Sequence, residues 1–413
     1  MKIYKQIKKC RICLSKNLKQ IMNLSNQPPA NTIKKKYELK ETKIPLNLIF
    51  CNSCKTAQLK ETVKPKYLFS KYVWVTGTSK IIQNYSEYFY KEVTKRYKGN
   101  NARVLEIASN DGTILNHFKK NKFNCLGVDP AKNLIKLATK KGINTIPNFF
   151  SFDLSQILKK KFGKQSIIIA RNVIPHVENI HSVVKGISNI LDKNDKAVSA
   201  IEFHNASTIL KDLHYDSIYH EHVFFFSILT ISKIFKKYGL YSFDIIKSPI
   251  SGGSWVIFFS KNKLKKSKSL VNLERKEKLD QINNLKKWRD FSKKSKSHSH
   301  RLNNTIKIFN KKYNKKIIAY GASARSSTML NFSKLNYKNI EFIVDKNKIK
   351  NNKYTPGTNI RIISLNNALS KIRKEKKILV LAWNFSNEII NDLRKKKYKG
   401  KFIVPLPRKI KLI

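Results

Sequence analysis

Short apolar runs alternate with helical patterns through the middle of the chain. The runs stand at residues 103–108, 125–128, 167–170 and 197–203. Strands that alternate with helices predict a mostly parallel α/β sheet. After this region the pattern predicts a helix over 228–238, ended by Gly239, and a strand over 255–259.

The same alternation starts again in the C-terminal quarter of the chain. Strands are predicted over 316–320, 340–345 and 378–382, and the small residues of 321–328 lead into a helix. This pattern is typical of a second α/β unit with its own parallel sheet.

A lysine-rich segment joins the two α/β regions. Residues 261–315 carry apolar side chains at helical spacing, which are Leu279, Ile282, Leu285 and Trp288. The spacing predicts an amphipathic connecting helix whose basic faces lie in solvent.

Four of the five cysteines form two Cys-x-x-Cys pairs near the N-terminus. Cys10 and Cys13 make the first pair, and Cys51 and Cys54 make the second. Outside oxidising compartments such pairs indicate a metal site rather than disulfides, with free thiols as the alternative. Four thiolates complete the tetrahedral shell of one zinc ion and leave no position for water, so the predicted zinc is structural. Cys125 lies in an apolar run and is expected to be a small buried residue.

Composition limits the partners and the location. The chain has 413 residues, 41% of them hydrophobic, and a formal charge of +59. The excess is mostly lysine spread over the whole length, which is typical of a solvated coat, so we expect no specific nucleic acid. The same charge attracts an anionic substrate.

Because no signal peptide is present and no apolar run approaches the roughly 20 residues of a spanning helix, we expect a cytoplasmic protein without membrane contact. A monomer is the default expectation.

The turn after the first predicted strand is not a phosphate-binding loop. It keeps one glycine, Gly112, and it is flanked by the acids Glu106 and Asp111. Acids repel a pyrophosphate and suit a cationic ligand, so the turn favours S-adenosylmethionine (SAM), which carries a sulfonium and an amino group, over NAD. Asp129, at the tip of the second strand, is placed to hydrogen-bond ribose hydroxyls. An α/β domain that binds no nucleotide is the alternative. The predicted cofactor contacts are Glu106, Ala108, Asn110, Asp111, Gly112, Asp129, Pro130 and Asn172.

The densest group of proton-handling side chains is Tyr219-His220-Glu221-His222. A strongly apolar segment follows it directly, and apolar surroundings shift pKa values into ranges that are useful for catalysis. Short motifs also arise by chance, so a surface loop with two histidines is the alternative interpretation.

Four features follow one another in a fixed order. They are the paired cysteines, the turn within 105–113, the segment 172–176 and the run 219–222. Together they resemble the zinc-containing sugar C-methyltransferases, which act on nucleotide-linked keto-deoxysugars. The resemblance continues through residues 251–254 and the C-terminal third, so it covers nearly the whole chain.

The resemblance implies a role for each candidate catalytic residue. His222 takes the proton from the carbon next to the ketone. Tyr219 and His176 donate to the ketone or enolate oxygen, and Glu221 orients an imidazole or binds the sugar. His220 is expected to stand behind the others.

Further substrate contacts are predicted outside that run. Tyr72 belongs to an aromatic segment that is expected to form a lid, although Trp74 replaces a tyrosine common in the resembled family. Ser323 and Arg325 stand at the helix start in the second α/β unit, where backbone amides and a guanidinium suit phosphate oxygens. A purely architectural C-terminal domain is the alternative.

The predicted fold class is α/β. We expect an N-terminal zinc-binding domain over 1–65 and a central Rossmann-like methyltransferase domain with a lid over 66–260. A connecting helix over 261–315 leads to a C-terminal Rossmann-like domain over 316–413. The predicted activity is SAM-dependent C-methylation of a nucleotide-linked keto-deoxysugar through an enolate. The alternatives are methylation of another acidic carbon or of a sugar oxygen, and a zinc-containing nucleic-acid-binding protein.

Overall fold

The computed structural model describes residues 3–38, 40–78, 80–97, 99, 102–194, 196–250 and 252–413. Ser251, part of the predicted segment 251–254, therefore lies outside the described residues. Within the described ranges the strands form a small N-terminal sheet, a two-stranded ribbon and two seven-stranded sheets. No helix in this part of the chain is both long and apolar enough to cross a membrane.

The N-terminal unit consists of antiparallel strands and contains the paired cysteines. Its elements are β1 (Tyr4–Gln6), β2 (Leu18–Gln27), β3 (Ile44–Cys51), β4 (Ala57–Leu59) and β5 (Glu61–Val63). Strands β2, β3 and β4 pair in that order, and β1 pairs with β5. Alternate side chains of a strand share one face. On β3 these are Leu46, Leu48 and Phe50, which are fully buried and belong to the largest apolar core.

The central sheet has the order β12-β13-β10-β9-β6-β7-β8, in which only β13 runs antiparallel to its neighbours. Its strands are β6 (Arg103–Ile107), β7 (Asn124–Val128), β8 (Asn144–Ile146), β9 (Ile167–Arg171), β10 (Val198–His204), β12 (Tyr241–Lys247) and β13 (Ser254–Ser260). The helices around it are α1 (Pro65–Phe69), α2 (Lys80–Tyr97), α3 (Thr113–Lys120), α4 (Lys132–Lys140), α5 (Phe152–Phe162), α6 (Ile180–Ile190), α7 (Ala206–Asp212) and α8 (Ile228–Lys236). The strand order reverses between β6 and β9, and ligands of open α/β sheets bind at such a point.

The alternating pattern of the central region is confirmed strand by strand. The predicted strands at 103–108, 125–128, 167–170 and 197–203 appear as β6, β7, β9 and β10, each within one residue at either end. These strands are buried on both sides by helices, so their apolar side chains form continuous runs and the sequence signal is strong.

The lysine-rich connection is two helices, which corrects the prediction of one. They are α9 (Lys268–Leu279) and α10 (Leu285–Tyr313). Between them Gln281 takes the left-handed conformation with φ 52°, which interrupts the helix. Leu279 is consequently 73% exposed rather than packed, while Trp288 is 1% exposed in the core.

The C-terminal sheet has the order β16-β17-β15-β14-β18-β19-β20, with a parallel centre and antiparallel edge strands. Its strands are β14 (Ile317–Tyr320), β15 (Ile340–Val344), β16 (Lys353–Tyr354), β17 (Arg361–Ile363), β18 (Lys377–Val380), β19 (Lys401–Val404) and β20 (Lys411–Leu412). The helices are α11 (Ala324–Phe332), α12 (Leu365–Arg373) and α13 (Ser386–Lys395). The second α/β unit is thereby confirmed.

One strand from the middle of the chain belongs to the N-terminal sheet. Strand β11 (Phe224–Phe225) pairs antiparallel with β4, so that Phe224 lies opposite Gln58 and Phe225 opposite Ala57. This pairing places the preceding run 219–222 between the N-terminal sheet and the central domain.

Candidate active site

The run 219–222 follows a short turn, Tyr215–Ser217, and forms a compact hydrogen-bonded group. The Nδ1 atom of His222 lies 2.7 Å from the carbonyl oxygen of Ser217, and its Nε2 atom lies 2.8 Å from the hydroxyl of Tyr219. Because a carbonyl oxygen only accepts, Nδ1 carries the proton and Nε2 keeps its lone pair. The Tyr219 hydroxyl therefore donates to Nε2.

His176 completes the group from a different element. It ends the short turn Ile174–His176 after β9, and its ring meets the His222 ring edge to face, with 4.7 Å between centroids. Burial lowers the pKa of His176 to about 4, and burial together with His176 holds the pKa of His222 well below its usual range. Both imidazoles are therefore neutral near pH 7, which suits proton acceptance and neutral hydrogen bonding.

Glu221 points away from this group. Its carboxylate accepts hydrogen bonds from Asn31 Nδ2 at 2.6 Å and from the Tyr72 hydroxyl at 3.1 Å. Burial raises the pKa of Glu221 to about 7, although the two donors oppose the rise. His220 also faces the N-terminal sheet, where Nε2 lies 3.2 Å from the carbonyl oxygen of Pro45. Neither Glu221 nor His220 lines the cavity described next.

A cavity of about 1000 Å³ runs from the strand ends of the central sheet to the C-terminal domain. At the first end, the predicted cofactor contacts that line it are Glu106, Ala108, Asn110, Asp129, Pro130 and Asn172. At the other end, the predicted catalytic and substrate contacts that line it are Tyr72, His176, Tyr219, His222, Ser323 and Arg325. The predicted cofactor contacts and the predicted catalytic side chains therefore line one and the same cavity.

Tight backbone turns shape the end formed by the central sheet. Ala108, Asn110 and Asn172 follow β6 and β9 with φ near 50–55°, a left-handed conformation that non-glycine residues seldom adopt. Asp129 accepts the backbone N–H groups of Asn110 and Ala131, both at 2.8 Å, which fixes its carboxylate at the cavity wall.

Glu106 lies deeper in the same wall. Burial raises its pKa to about 8, and its Oε2 atom has no hydrogen-bond partner among the described residues. A buried carboxyl with an unused oxygen is suited to a cationic or hydrogen-bond-donating ligand group.

Asp111 and Gly112 were predicted to contact the cofactor, but neither lines the cavity. Asp111 is held by Lys141 at 2.8 Å and accepts the backbone N–H of Gly77 at 3.2 Å. Asn110 also contacts this segment, since its side chain accepts the backbone N–H of Thr76 at 2.9 Å. The turn therefore anchors the aromatic segment, whose residues Tyr72, Trp74 and Thr76 line the cavity.

The C-terminal domain reaches the cavity through the first turn of α11. Ser323 caps this helix by accepting the backbone N–H of Ser326. The Arg325 guanidinium forms a bidentate pair with Asp216, at 3.0 and 2.8 Å, and Trp383 Nε1 donates to the same carboxylate at 2.7 Å. Arg325, which was predicted to contact phosphate oxygens, therefore anchors the loop that carries His222. Sequence reasoning missed Asp216 and Trp383, and the only available signal was an acid three residues before the run 219–222.

The four paired cysteines converge at one point of the N-terminal sheet. Their sulfur atoms all lie within 4.8 Å of one another, with Cys10 to Cys54 at 3.6 Å and Cys13 to Cys51 at 3.4 Å. Zn–S bonds of about 2.3 Å in a tetrahedron separate sulfur atoms by about 3.8 Å. The cluster therefore fits one structural zinc ion.

Three family models match successive parts of the chain. They are described as "Putative zinc binding domain" for residues 10–69, "Methyltransferase domain" for 82–242 and "C-methyltransferase C-terminal domain" for 249–407. C-methyltransferase NovU from Streptomyces niveus is 26% identical over 411 residues, which is 98% of this chain and 97% of NovU. The chain is an S-adenosylmethionine-dependent methyltransferase of the C-methyltransferase type.

Solved methyltransferases resemble part of this C-methyltransferase. Magnesium protoporphyrin IX methyltransferase from Synechocystis PCC 6803 with bound SAM matches with a TM-score of 0.33 and 12% identity, over 43% of this chain and 78% of its own. A possible histamine N-methyltransferase from Thermotoga maritima matches with a TM-score of 0.32 and 15% identity, over 43% of this chain and 92% of its own.

The fixed carboxylate of Asp129 gives a testable prediction about cofactor binding. Replacing Asp129 with asparagine removes a charged acceptor and sets an amide N–H against the backbone donors. We expect S-adenosylhomocysteine (SAH) to bind about 10- to 100-fold more weakly, as measured by isothermal titration calorimetry. Asp153 in the first turn of α5 lines the same cavity, and Asp153→Asn is the control, with affinity expected within twofold. Equal losses in both variants would contradict the assignment.

Proposed function

We propose that this C-methyltransferase transfers a methyl group to a carbon next to the ketone of a nucleotide-linked keto-deoxysugar. The proposal rests chiefly on the neutral His222–Tyr219 pair, which lines the cavity between the strand ends of the central domain and the C-terminal domain. The match to a C-methyltransferase C-terminal domain supports reaction at carbon. The formal charge of +59 favours an anionic substrate.

The chemistry needs a base next to an acidic carbon. His222 Nε2 holds the lone pair that accepts the proton from that carbon, leaving an enolate. Because Nε2 has a single lone pair, the Tyr219 hydroxyl first turns from Nε2 to the ketone oxygen, and from there it donates to the enolate oxygen as the charge develops. His176 is close enough to supply a second neutral donor at the same oxygen.

SAM, when bound at the strand ends of the central domain, supplies the electrophilic methyl group. The chain's own contribution at that step is alignment, because the cavity walls set the approach of the carbon. The zinc cluster lies outside the cavity and takes no part in this chemistry.

At the far end of the cavity we assign the nucleotide part of the substrate to the start of α11. Ser323 and Ala324 line the cavity there, at the point where the helix begins. Helix N-termini favour phosphate oxygens. Arg325 adds a guanidinium at this end of the cavity, and its pair with Asp216 holds that group in place while balancing its charge.

The decisive experiment offers the enzyme SAM and a panel of nucleotide-linked keto-deoxysugars. A mass gain of one methyl group, located on carbon by NMR, is the expected result; methylation on oxygen would support the alternative acceptor. Deuterium incorporation next to the ketone in D₂O, with SAH in place of SAM, tests enolate formation alone. No product and no exchange with any member of the panel would contradict the proposal.

A further inference from the structure

The run 219–222 is tied to the zinc-binding unit through the backbone. Leu59 donates its backbone N–H to the carbonyl oxygen of Val223 at 2.9 Å, where β4 meets the residue before β11. The contact of His220 with Pro45 adds a second link, on β3. Strand β3 ends at Cys51, so the segments that hold the run lead directly to the metal ligands.

The loop between β2 and β3 adds a side-chain contact. Within it, Thr32 closes a turn by donating its backbone N–H to Pro29 at 3.1 Å and its hydroxyl to the same oxygen at 2.7 Å. Asn31 lies within this turn, and its Nδ2 donates to Glu221 Oε1 at 2.6 Å.

Glu221 connects Asn31 to a residue of the cavity wall. Its second oxygen accepts the Tyr72 hydroxyl, and the Tyr72 ring lines the cavity. The backbone of Tyr72 is fixed as well, because its N–H and carbonyl group pair with the Asn133 side chain at 3.1 and 2.9 Å. Asn31, Glu221 and Tyr72 thus form a continuous chain from the zinc-binding unit to the cavity wall.

We propose that the zinc-binding unit is a working part of the active site, in which Asn31 is a positioning residue that holds Glu221, and through it Tyr72, against the substrate. This inference rests on the proposed function. It gives the N-terminal unit a role in the reaction that is separate from holding its metal.

The charge of Glu221 determines how firmly Tyr72 is held, and the position of Tyr72 in turn affects the rate of turnover. The titratable groups that face this carboxyl are Tyr72 and Tyr219, and Asn31 is the neutral donor on its other side. An ionised carboxylate accepts from both Asn31 and Tyr72 and so fixes the tyrosine. Since burial already raises the pKa of Glu221 to about 7, loss of the Asn31 donor moves this pKa further up. The protonated acid then predominates at neutral pH and holds Tyr72 less well.

Two substitutions test the chain of contacts. Asn31→Ala removes the donor, and Asn31→Asp removes it while keeping the shape of the side chain. In both variants we expect kcat/KM at pH 7 to fall about 10- to 100-fold. The acidic limb of the pH profile should move up by about one unit or more, so that the defect shrinks as the pH rises toward 9. A loss that is equal at all pH values in both variants would overturn the inference.

A matched control removes a different contact of the same loop. Asn359 of the C-terminal domain accepts from Lys34 and donates to the carbonyl oxygen of Glu38 at 2.6 Å, which ties the loop down without touching Glu221. Asn359→Ala is expected to leave the acidic limb in place. A shift equal to that of Asn31→Ala would show that loose docking, and not the Asn31 donor, causes the effect.

A direct titration separates this inference from the assigned reaction. With ¹³C-carboxyl-labelled glutamate, the NMR resonance that disappears in Glu221→Gln belongs to Glu221. Its pKa is expected near 7 in the wild-type enzyme and higher in Asn31→Asp. An unchanged pKa overturns the positioning role even in an active enzyme. A shifted pKa, with no product from any keto-sugar, supports the contact and counts against the proposed substrate class alone.

Discussion

Replacing His222 with alanine is expected to lower kcat by about a thousandfold while leaving SAH affinity within about threefold of the wild-type value. General bases contribute about 10²- to 10⁴-fold to a rate. The Nε2 atom of His222 meets the Tyr219 hydroxyl, and both side chains line the cavity. The cofactor end is built by other residues, so binding there should be unaffected.

Two comparisons separate base catalysis from structural damage. Tyr219→Phe keeps the imidazole and removes only the hydroxyl that donates to Nε2, so we expect a smaller loss of about tenfold. Added imidazole should partly restore turnover in His222→Ala, because the deleted ring leaves space in the cavity wall. Turnover above about a tenth of the wild-type rate in His222→Ala would rule out His222 as the base.

The pH dependence of the wild-type enzyme should not report His222. Burial, together with His176, keeps the pKa of His222 well below its usual range, so the ring is already neutral near pH 7. The acidic limb is instead expected near pH 7, where Glu221 titrates. A profile flat down to pH 5 would contradict this assignment of the limb.

Removing the zinc is expected to unfold the N-terminal sheet and to abolish turnover together. Structural zinc sites contribute about 10–16 kcal/mol of apparent binding free energy that is coupled to folding. The sheet that loses its metal also pairs with β11 and contacts the run 219–222. Activity should therefore fall at least a hundredfold, although no zinc ligand touches the cavity.

The experiment compares Cys54→Ser with Cys125→Ser. Elemental analysis should give about one zinc per chain in the wild-type enzyme and in Cys125→Ser, whose thiol is outside the cluster, and much less in Cys54→Ser. Hydrogen exchange should become faster over residues 44–59 and 219–226 in Cys54→Ser alone. Wild-type turnover in a zinc-free Cys54→Ser protein would contradict the coupling.

Local pattern predicted the sheets because burial imposes it residue by residue. Central parallel strands are covered on both sides, so each must be apolar along its length, and the runs at 103–108 and 167–170 coincide with β6 and β9. The cysteine pairs were equally informative, since only a few ligand sets complete a zinc shell. The boundaries of the predicted domains remain a prediction.

Contacts between distant residues were beyond any local pattern. Arg325 and Asp216 are 109 positions apart, and Asn31 and Glu221 are 190 apart. Nothing in the neighbourhood of Asn31 distinguishes it from an ordinary turn residue. For Leu279 the local pattern gave a wrong prediction. The residue fits the helical spacing of apolar side chains, but it lies where α9 ends and is exposed.

By itself the sequence determined the α/β sheets, the zinc cluster and the run Tyr219-His220-Glu221-His222, because each depends on residue type and spacing within a short stretch. Only the tertiary structure decided which side chains of that run line the cavity and which face the zinc-binding unit. His222 and Tyr219 line the cavity, while Glu221 and His220 face the zinc-binding unit. The physical reason is that neighbouring side chains leave the backbone in different directions, and the packing of three separate sheets around the run determines what each of them meets.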